Sequence, residues 1–280
     1  MLYSLNIEEI DETIIRKRVN KIIGNLSFPE KKTYATLLNC IDLTTLEGAD
    51  TREKVMALCY KATTFREKGE EIPNVAAVCV YPTFVSTVKK LLKSTGIKTA
   101  SVAGAFPSGQ SPLHVKLAEI QYAVDEGADE IDMVISRGKF LEGEYNLVFD
   151  EIAAIRETCK SVHLKVILET GELSTLTNIS RASRIALYAG ADFIKTSTGK
   201  IPVSATEPAV LVMLDAIKDY FEKTGKKAGI KPSGGISEPW QALNYYALVH
   251  ATLGESWLSN TLFRLGASRL ADNILKELIK

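Results

Sequence analysis

Short apolar segments alternate with longer amphipathic segments along the whole chain, and this alternation most constrains the fold. Eight segments have the composition of β-strands: Leu38 to Leu43, Val75 to Tyr81, Thr99 to Ala105, Glu130 to Ile135, His163 to Glu169, Phe193 to Thr198, Ala228 to Lys231 and Thr261 to Leu265. They are spaced roughly 25–35 residues apart, the length of one strand plus one helix. The alternation predicts parallel strands with right-handed crossovers, and eight units favour an α/β (β/α)8 TIM barrel over an open doubly wound sheet.

Helical patterns fill the intervals between these strands. Apolar residues recur at helical spacing in Glu53 to Lys68, Ser111 to Glu126, Asn178 to Tyr188 and Pro208 to Lys223. In the second helix the predicted buried face includes Val115 and Ile120. Gly-Ala-Asp steps at 127–129 and 190–192 predict helix ends just before strands. We expect a single barrel domain over residues 1–280, in which residues 1–30 form a helical extension that either plugs the barrel bottom or packs on a partner.

Composition excludes several classes of protein. The chain has 280 residues, 46% of them hydrophobic, which is enough for one large domain. Its 34 basic and 34 acidic residues balance, so we expect neither nucleic acid nor a membrane as a partner. Four cysteines without a Cys-x-x-Cys pair, and three scattered histidines, argue against a metal site and a disulfide framework and favour the cytoplasm. The N-terminal segment has no apolar core of a secretory signal.

Two lysines lie within strand-like apolar segments one barrel unit apart. Lys195 is in DFIKTSTGK and Lys231 is in GIKPSGGI. Neighbouring strands are about 4.8 Å apart, so two inward ammonium groups would lower each other's pKa. One of them would then be a free amine, which is a nucleophile toward carbonyl groups. The alternatives are that Lys195 is a surface lysine at a strand end and that Lys231 merely pairs with an acid.

Further charges occupy strand interiors at matching depths. Asp132 lies in the middle of the fourth strand, and Lys165 and Glu169 share one face of the fifth. A buried carboxylate either pairs with a cation or carries protons. We therefore expect the barrel interior to hold Asp132, Lys165, Lys195 and Lys231 together, either for catalysis or as a structural polar core.

Glycine-rich segments follow the last three strands. They are Thr198-Gly199-Lys200, Ser233-Gly234-Gly235 and Gly266-Ala267-Ser268. Glycine lets backbone N–H groups approach an anion, and phosphate sites at this end of a barrel are common. The segments therefore predict a phosphate site.

These segments, in this order, resemble the deoxyribose-phosphate aldolase family of class I aldolases. The resemblance extends from about Cys40 to about Leu270 and includes IDLTTL (41–46), VAAVCVYP (75–82), VAGAFP (102–107), EID (130–132) and LKVILETG (164–171), together with the two lysine segments. It implies a (β/α)8 barrel that reversibly cleaves 2-deoxy-D-ribose 5-phosphate into glyceraldehyde 3-phosphate and acetaldehyde, in deoxyribonucleotide catabolism.

The resemblance also implies roles for individual residues. Lys195 would form a Schiff base with acetaldehyde, Lys231 would lower its pKa, Asp132 would move protons with a water, and Lys165 would support that network. No metal or other cofactor would be needed. The substrate would be bound by Asp42, Cys79, Thr198, Gly199, Lys200, Gly234, Gly235, Gly266 and Ser268. The expected partners are a phosphorylated sugar and, in a homodimer, a second copy of the chain.

Two features depart from the family pattern. Many members end in a tyrosine that assists proton transfer, whereas this sequence ends Leu275-Lys276-Glu277-Leu278-Ile279-Lys280. Arg269 stands where a second small hydroxylic residue is common, so it either reaches the phosphate or is solvated. Two other functions compete with the aldolase: another lyase or an isomerase of sugar phosphates, and a non-catalytic phosphate-binding barrel.

Overall fold

The computed structural model describes residues 7–26 and 29–280, and eight parallel strands form its nearly closed barrel. The strands are β1 (Ile41–Thr44), β2 (Ala77–Val80), β3 (Lys98–Ala103), β4 (Glu130–Val134), β5 (His163–Ile167), β6 (Phe193–Lys195), β7 (Gly229–Lys231) and β8 (Leu265–Ala267). Each strand pairs with the next in sequence and β8 pairs with β1. Two parallel bridges, Ile230 to Phe263 and Ser233 to Gly266, connect the β7 and β8 segments. The predicted (β/α)8 barrel is confirmed.

Eleven α-helices lie in the described part of the chain. They are α1 (Glu12–Gly24), α2 (Lys31–Asn39), α3 (Arg52–Thr64), α4 (Val85–Leu91), α5 (Leu113–Asp125), α6 (Arg137–Leu141), α7 (Tyr145–Cys159), α8 (Leu176–Tyr188), α9 (Glu207–Thr224), α10 (Pro239–Leu253) and α11 (Leu270–Ile279). Short 3-10 helices occur at Arg66–Lys68, Pro82–Phe84, Thr170–Glu172 and Glu255–Trp257. None of the helices described here is long and apolar enough to cross a membrane.

Local sequence signals explain where several helices begin and end. The hydroxyl groups of Thr51, Thr175 and Thr206 accept hydrogen bonds from backbone N–H groups in the first turns of α3, α8 and α9. After α5 and α8, Gly127 and Gly190 have φ of +96° and +102°, as the Gly-Ala-Asp steps predict. The aspartate of each step then accepts a hydrogen bond from the backbone of the neighbouring strand, which fixes the entry into β4 and β6.

The N-terminal extension is helical, as predicted, in the part that the structure describes. Helix α1 packs on the outer faces of α9 and α10 of the same chain. Arg18 donates two hydrogen bonds to the Asp215 carboxylate of α9, at 2.7 and 2.8 Å. The helix therefore lies on the outside of the barrel and does not plug its bottom. Residues 1–6 and 27–28 of the predicted extension lie outside the described residues.

Two predicted strands begin at least three residues too early. Leu38 belongs to the last turn of α2, where Leu37 and Leu38 bury the apolar face of that helix. Residues 261–262 form a turn, and β8 begins only at Leu265. Leu38 has the composition of a strand residue although a helix buries it, and the turn at 261–262 contains an exposed threonine and a half-buried leucine next to the apolar residues of β8. The predicted inner face of α5 is also wrong at Val115, which is 45% exposed.

The two halves of the barrel interior differ in chemistry. Small and apolar side chains from β2 and β3, including Cys79, Ala100 and Val102, form a cluster with Leu46. Tyr81 and Phe106 pack against this cluster at its upper end, with ring centroids 5.9 Å apart. The other strands contribute buried charges. The barrel is therefore a packed core that is apolar on one side and ionic on the other.

Candidate active site

Lys195 and Lys231 are the last residues of β6 and β7, and they are direct partners in the parallel register. Both side chains point into the barrel, where Lys195 Nζ and Lys231 Nζ donate to the same oxygen, Asp132 Oδ2, at 2.8 and 2.7 Å. Lys195 is 3% exposed and Lys231 is fully buried. The predicted juxtaposition of the two lysines on neighbouring strands is confirmed, and Lys195 is not a surface lysine.

Six buried side chains, one of them Lys231, form a closed ring of alternating charge, which we call the charge ring. It consists of Arg264, Asp42, Lys231, Asp132, Lys165 and Glu130, each in contact with the next, and Glu130 in contact with Arg264. The separations that define it include 2.8 Å from Lys165 Nζ to Asp132 Oδ1 and 2.7 Å from Arg264 to Glu130 Oε1. Each member of the ring thus has two partners of opposite charge, which offsets the cost of burying it.

The charge ring shifts the pKa values of its members in opposite directions. Neighbouring cations hold the pKa values of Asp42, Glu130 and Asp132 below their ordinary values, although burial acts against this. The carboxylates in turn raise the pKa values of Lys165, Lys231 and Arg264 against the effect of burial. The ring is therefore ionised at neutral pH.

Lys195 is the exception among the buried barrel lysines, because its pKa is lowered. Burial is the main cause, and the positive charge of Lys231 adds to it, while Asp132 acts in the opposite direction. A lysine with a lowered pKa at the end of a barrel strand is a nucleophile for carbonyl groups.

Lys195 opens into a cleft of about 750 Å³ at the carboxyl ends of the strands. The cleft is also lined by all seven residues predicted to surround the substrate phosphate or its loop: Thr198, Gly199, Lys200, Gly234, Gly235, Gly266 and Ser268. Arg269 lines the same cleft directly before α11 and has an exposed side chain. The three glycine-rich segments therefore meet around one space, as the sequence predicts.

The other predicted site residues lie below this cleft. Asp42, Cys79, Asp132, Lys165 and Lys231 are all fully buried, and none of them lines it. Asp42 contacts Lys231 in the ionic half of the interior and Cys79 lies in the apolar half, and their part in binding the substrate stays a prediction. Burial raises the pKa of the Cys79 thiol to about 11, so this group is neutral at physiological pH.

Close backbone packing explains the glycines of the loops. Gly234 has φ of +84°, and a Cβ atom there would lie 2.5 Å from Ser204 Cβ. At Gly266 an added Cβ would lie 2.5 Å from Ser233 Cβ and 3.3 Å from the Lys231 side chain. Glycine is therefore required at both positions, and at Gly266 it makes room for Lys231 itself.

A buried carboxylate organises the loop after β6. Glu169 accepts hydrogen bonds from the Thr198 N–H, at 3.2 and 3.3 Å, and from the Thr198 hydroxyl. Thr198 Oγ1 in turn accepts from the Lys200 N–H at 3.1 Å. Lys200 Nζ reaches across the mouth of the cleft to Glu47 Oε1 at 2.8 Å. Glu169 was predicted to share one face of the fifth strand with Lys165, but it turns toward the cleft loop because its backbone adopts φ of +56°.

Sequence reasoning missed Arg264, Glu130, Glu169 and Glu47 as parts of the site. The signal for Arg264 was present, since it lies between Phe263 and Leu265 in an apolar segment, as the two lysines do in theirs. Glu47 carried no such signal because it lies in a polar loop. Across residues 7–26 and 29–280, no three His, Cys, Asp or Glu side chains are grouped so as to hold a metal ion.

Comparison with known proteins agrees with this geometry. Residues 36–243 match the DeoC/LacD family aldolases. The human protein named deoxyribose-phosphate aldolase is 45% identical over 283 residues, covering 96% of this chain and 89% of the human one; the mouse protein of the same name is 44% identical over 286 residues, with the same coverage. A tetrameric deoxyribose phosphate aldolase from Aeropyrum pernix, of known structure, superposes with a TM-score of 0.69 at 26% identity, covering 96% of this chain and 98% of its own. The chain therefore belongs to the DeoC/LacD aldolase family.

Proposed function

We propose that this protein reversibly cleaves 2-deoxy-D-ribose 5-phosphate into D-glyceraldehyde 3-phosphate and acetaldehyde through a Schiff base on Lys195. The observation that carries the proposal is the position of Lys195, a buried lysine that opens into the cleft and contacts the Asp132 carboxylate at 2.8 Å; its lowered pKa agrees with this role. The names of the human and mouse relatives support the choice of substrate.

The proposed reaction begins when the free amine of Lys195 adds to C1 of the open-chain sugar. Loss of water gives an iminium ion, and a base removes the proton of the C3 hydroxyl. The C2–C3 bond then breaks, its electrons form an enamine with the iminium carbon, and glyceraldehyde 3-phosphate leaves. Protonation at C2 and addition of water release acetaldehyde and restore the amine. The iminium serves as the electron sink, so the proposal includes no metal or other cofactor.

Asp132 is the group proposed to guide the protons. Its carboxylate contacts the reacting amine directly, and the ammonium groups of Lys165 and Lys231 keep it ionised. Together with a bound water it would accept and return protons during formation of the carbinolamine and the enamine. Lys165 and Lys231 remain protonated and hold Asp132 in place. The substrate phosphate would bind between the glycine-rich loops and Lys200, where backbone N–H groups can approach it closely.

Trapping the Schiff base tests this proposal. Acetaldehyde and borohydride should add an ethyl group at Lys195, located by mass spectrometry, and glyceraldehyde 3-phosphate should be released from deoxyribose 5-phosphate in a coupled assay. Lys195→Met should abolish both. Lys116→Met is the matched control, because Lys116 is an equally buried, ion-paired lysine outside the barrel. Turnover of a sugar phosphate that survives Lys195→Met would favour an isomerase. Binding of phosphate esters by the unaltered protein without any turnover would favour a non-catalytic barrel.

The proposal extends to assembly and location. We expect a homodimer; the tetramer of the Aeropyrum pernix relative supports self-association in the family. Analytical ultracentrifugation that finds only monomer would contradict it. We expect the reaction, a step of deoxyribonucleotide catabolism, to take place in the cytoplasm, since all four cysteines are unpaired and buried, as suits a reducing compartment.

A further inference from the structure

Arg264 is buried at the end of the barrel away from the cleft. It directly precedes β8, does not line the cleft, and is only 4% exposed. Its guanidinium contacts both Asp42 and Glu130, at 2.5 and 2.7 Å, and so closes the charge ring. No step of the proposed reaction involves this residue, yet burying a guanidinium is costly.

The charge ring contains three cations (Lys165, Lys231 and Arg264) and three carboxylates (Asp42, Glu130 and Asp132), so it is neutral when fully ionised. Lys195 lies outside the ring and touches it only at Asp132. Each cation of the ring contacts two carboxylates within 3 Å, whereas Lys195 contacts one within the described residues. A proton on Lys195 would therefore be the one uncompensated positive charge in the interior.

We propose that Arg264 is a positioning residue for the reaction, which keeps the charge ring neutral so that Lys195 is the side chain that gives up its proton. The inference rests on the proposed function, in which Lys195 reacts as a free amine. Without Arg264 the ring would carry one negative charge, and this charge would favour the protonated form of Lys195. Without the charge of Glu130 the ring would carry one positive charge, with the opposite effect.

The other groups that face Lys195 do not alter this reasoning. They are Asp132 from β4, Lys231 from β7 and the Cys79 thiol from β2. The thiol is neutral below about pH 11 and the other two are ionised at neutral pH, so none of them titrates in the range of the test. A charge about 10 Å away, at an effective dielectric constant of about 20, shifts a pKa by about one unit.

The test measures the rate of acetaldehyde trapping at Lys195, by borohydride and mass spectrometry, as a function of pH. The acid limb of this profile is the pH range in which the rate rises as Lys195 loses its proton. Arg264→Met should move this limb up by about one pH unit, which makes trapping about tenfold slower at a fixed pH below the limb. Arg264→Lys should restore the limb, because it restores the charge. Glu130→Gln should move the limb down, and the double variant Arg264→Met with Glu130→Gln should return it close to its original position.

The opposite shifts expected for Arg264→Met and Glu130→Gln distinguish a role of Arg264 in setting the charge from a purely structural role. If Arg264 only holds the barrel together, Arg264→Met and Glu130→Gln will both slow trapping without moving the limb, and the inference is overturned. Shifts in the same direction would overturn it as well. Should Arg264→Met not fold, Glu130→Gln still decides, since only the charge account predicts a limb at lower pH. If the unaltered protein gives no adduct at Lys195, the proposed function fails instead.

Discussion

Replacing Lys231 by methionine tests whether a neighbouring charge sets the protonation of Lys195. Both lysine nitrogens lie within 2.8 Å of Asp132 Oδ2, which puts them about 5 Å apart or closer. Two unit charges about 5 Å apart at an effective dielectric constant of about 20 repel by about 3 kcal/mol, or about 2 pKa units. Lys231→Met should therefore raise the pKa of Lys195 by about 2 units, because it removes a positive charge.

The assay is the pH profile of kcat/KM for cleavage of deoxyribose 5-phosphate. Its acid limb, which reports the free amine, should move to higher pH by about 2 units, with about 100-fold lower activity at a fixed pH below the limb. The control is Lys116→Met, which removes a buried lysine that is paired with Glu151 at 2.8 Å in the helical layer. It should lower the free energy of unfolding and leave the limb in place.

A limb that stays in place in Lys231→Met would refute the reasoning. Burial is the largest cause of the lowered pKa of Lys195, and in that case it would be the only one that matters. A shift as large in Lys116→Met as in Lys231→Met would also refute it, because the effect would then follow from lost stability.

Three further predictions follow from the loops and the buried carboxylates. Gly234→Ala should lower the free energy of unfolding by about 1–3 kcal/mol in urea denaturation, because Gly234 has a positive φ and no room for a Cβ beside Ser204; an unchanged value would contradict the packing argument. Glu169→Gln should raise KM for the phosphorylated substrate more than it lowers kcat, because Glu169 orders Thr198 in the loop proposed to bind the phosphate; a loss of kcat alone would contradict this. The three carboxylates of the charge ring have lower pKa values in the folded than in the unfolded chain, so their stabilising contribution is complete above about pH 4–5 and is lost as the pH falls through the folded values. Urea midpoints should fall below about pH 4, and Asp132→Asn should make that fall smaller; an equal fall in both proteins would count against it.

Most of the fold could be predicted because its signals are local. Strand-like segments at a regular spacing, helical periodicity and glycine helix ends each depend on a few neighbouring residues. The errors arose where that locality fails: Leu38 is apolar because a helix buries it, and Val115 fits the helical period but faces solvent. Short apolar segments cannot by themselves distinguish a strand from a buried helical turn.

By itself the sequence determined that lysines and an aspartate occupy strand interiors, that glycines follow the late strands, and that the chain forms a barrel. Only the tertiary structure decided how the charges pair, because ion pairs between strands far apart in sequence depend on register and barrel closure. It showed that Arg264, from the segment before the last strand, completes the charge ring with Asp42 and Glu130. It also showed that Lys195 alone among the barrel lysines has a single carboxylate partner in the described chain and a lowered pKa. The physical reason is that a pKa responds to every charge and to the burial around a group, and these are properties of the assembled barrel.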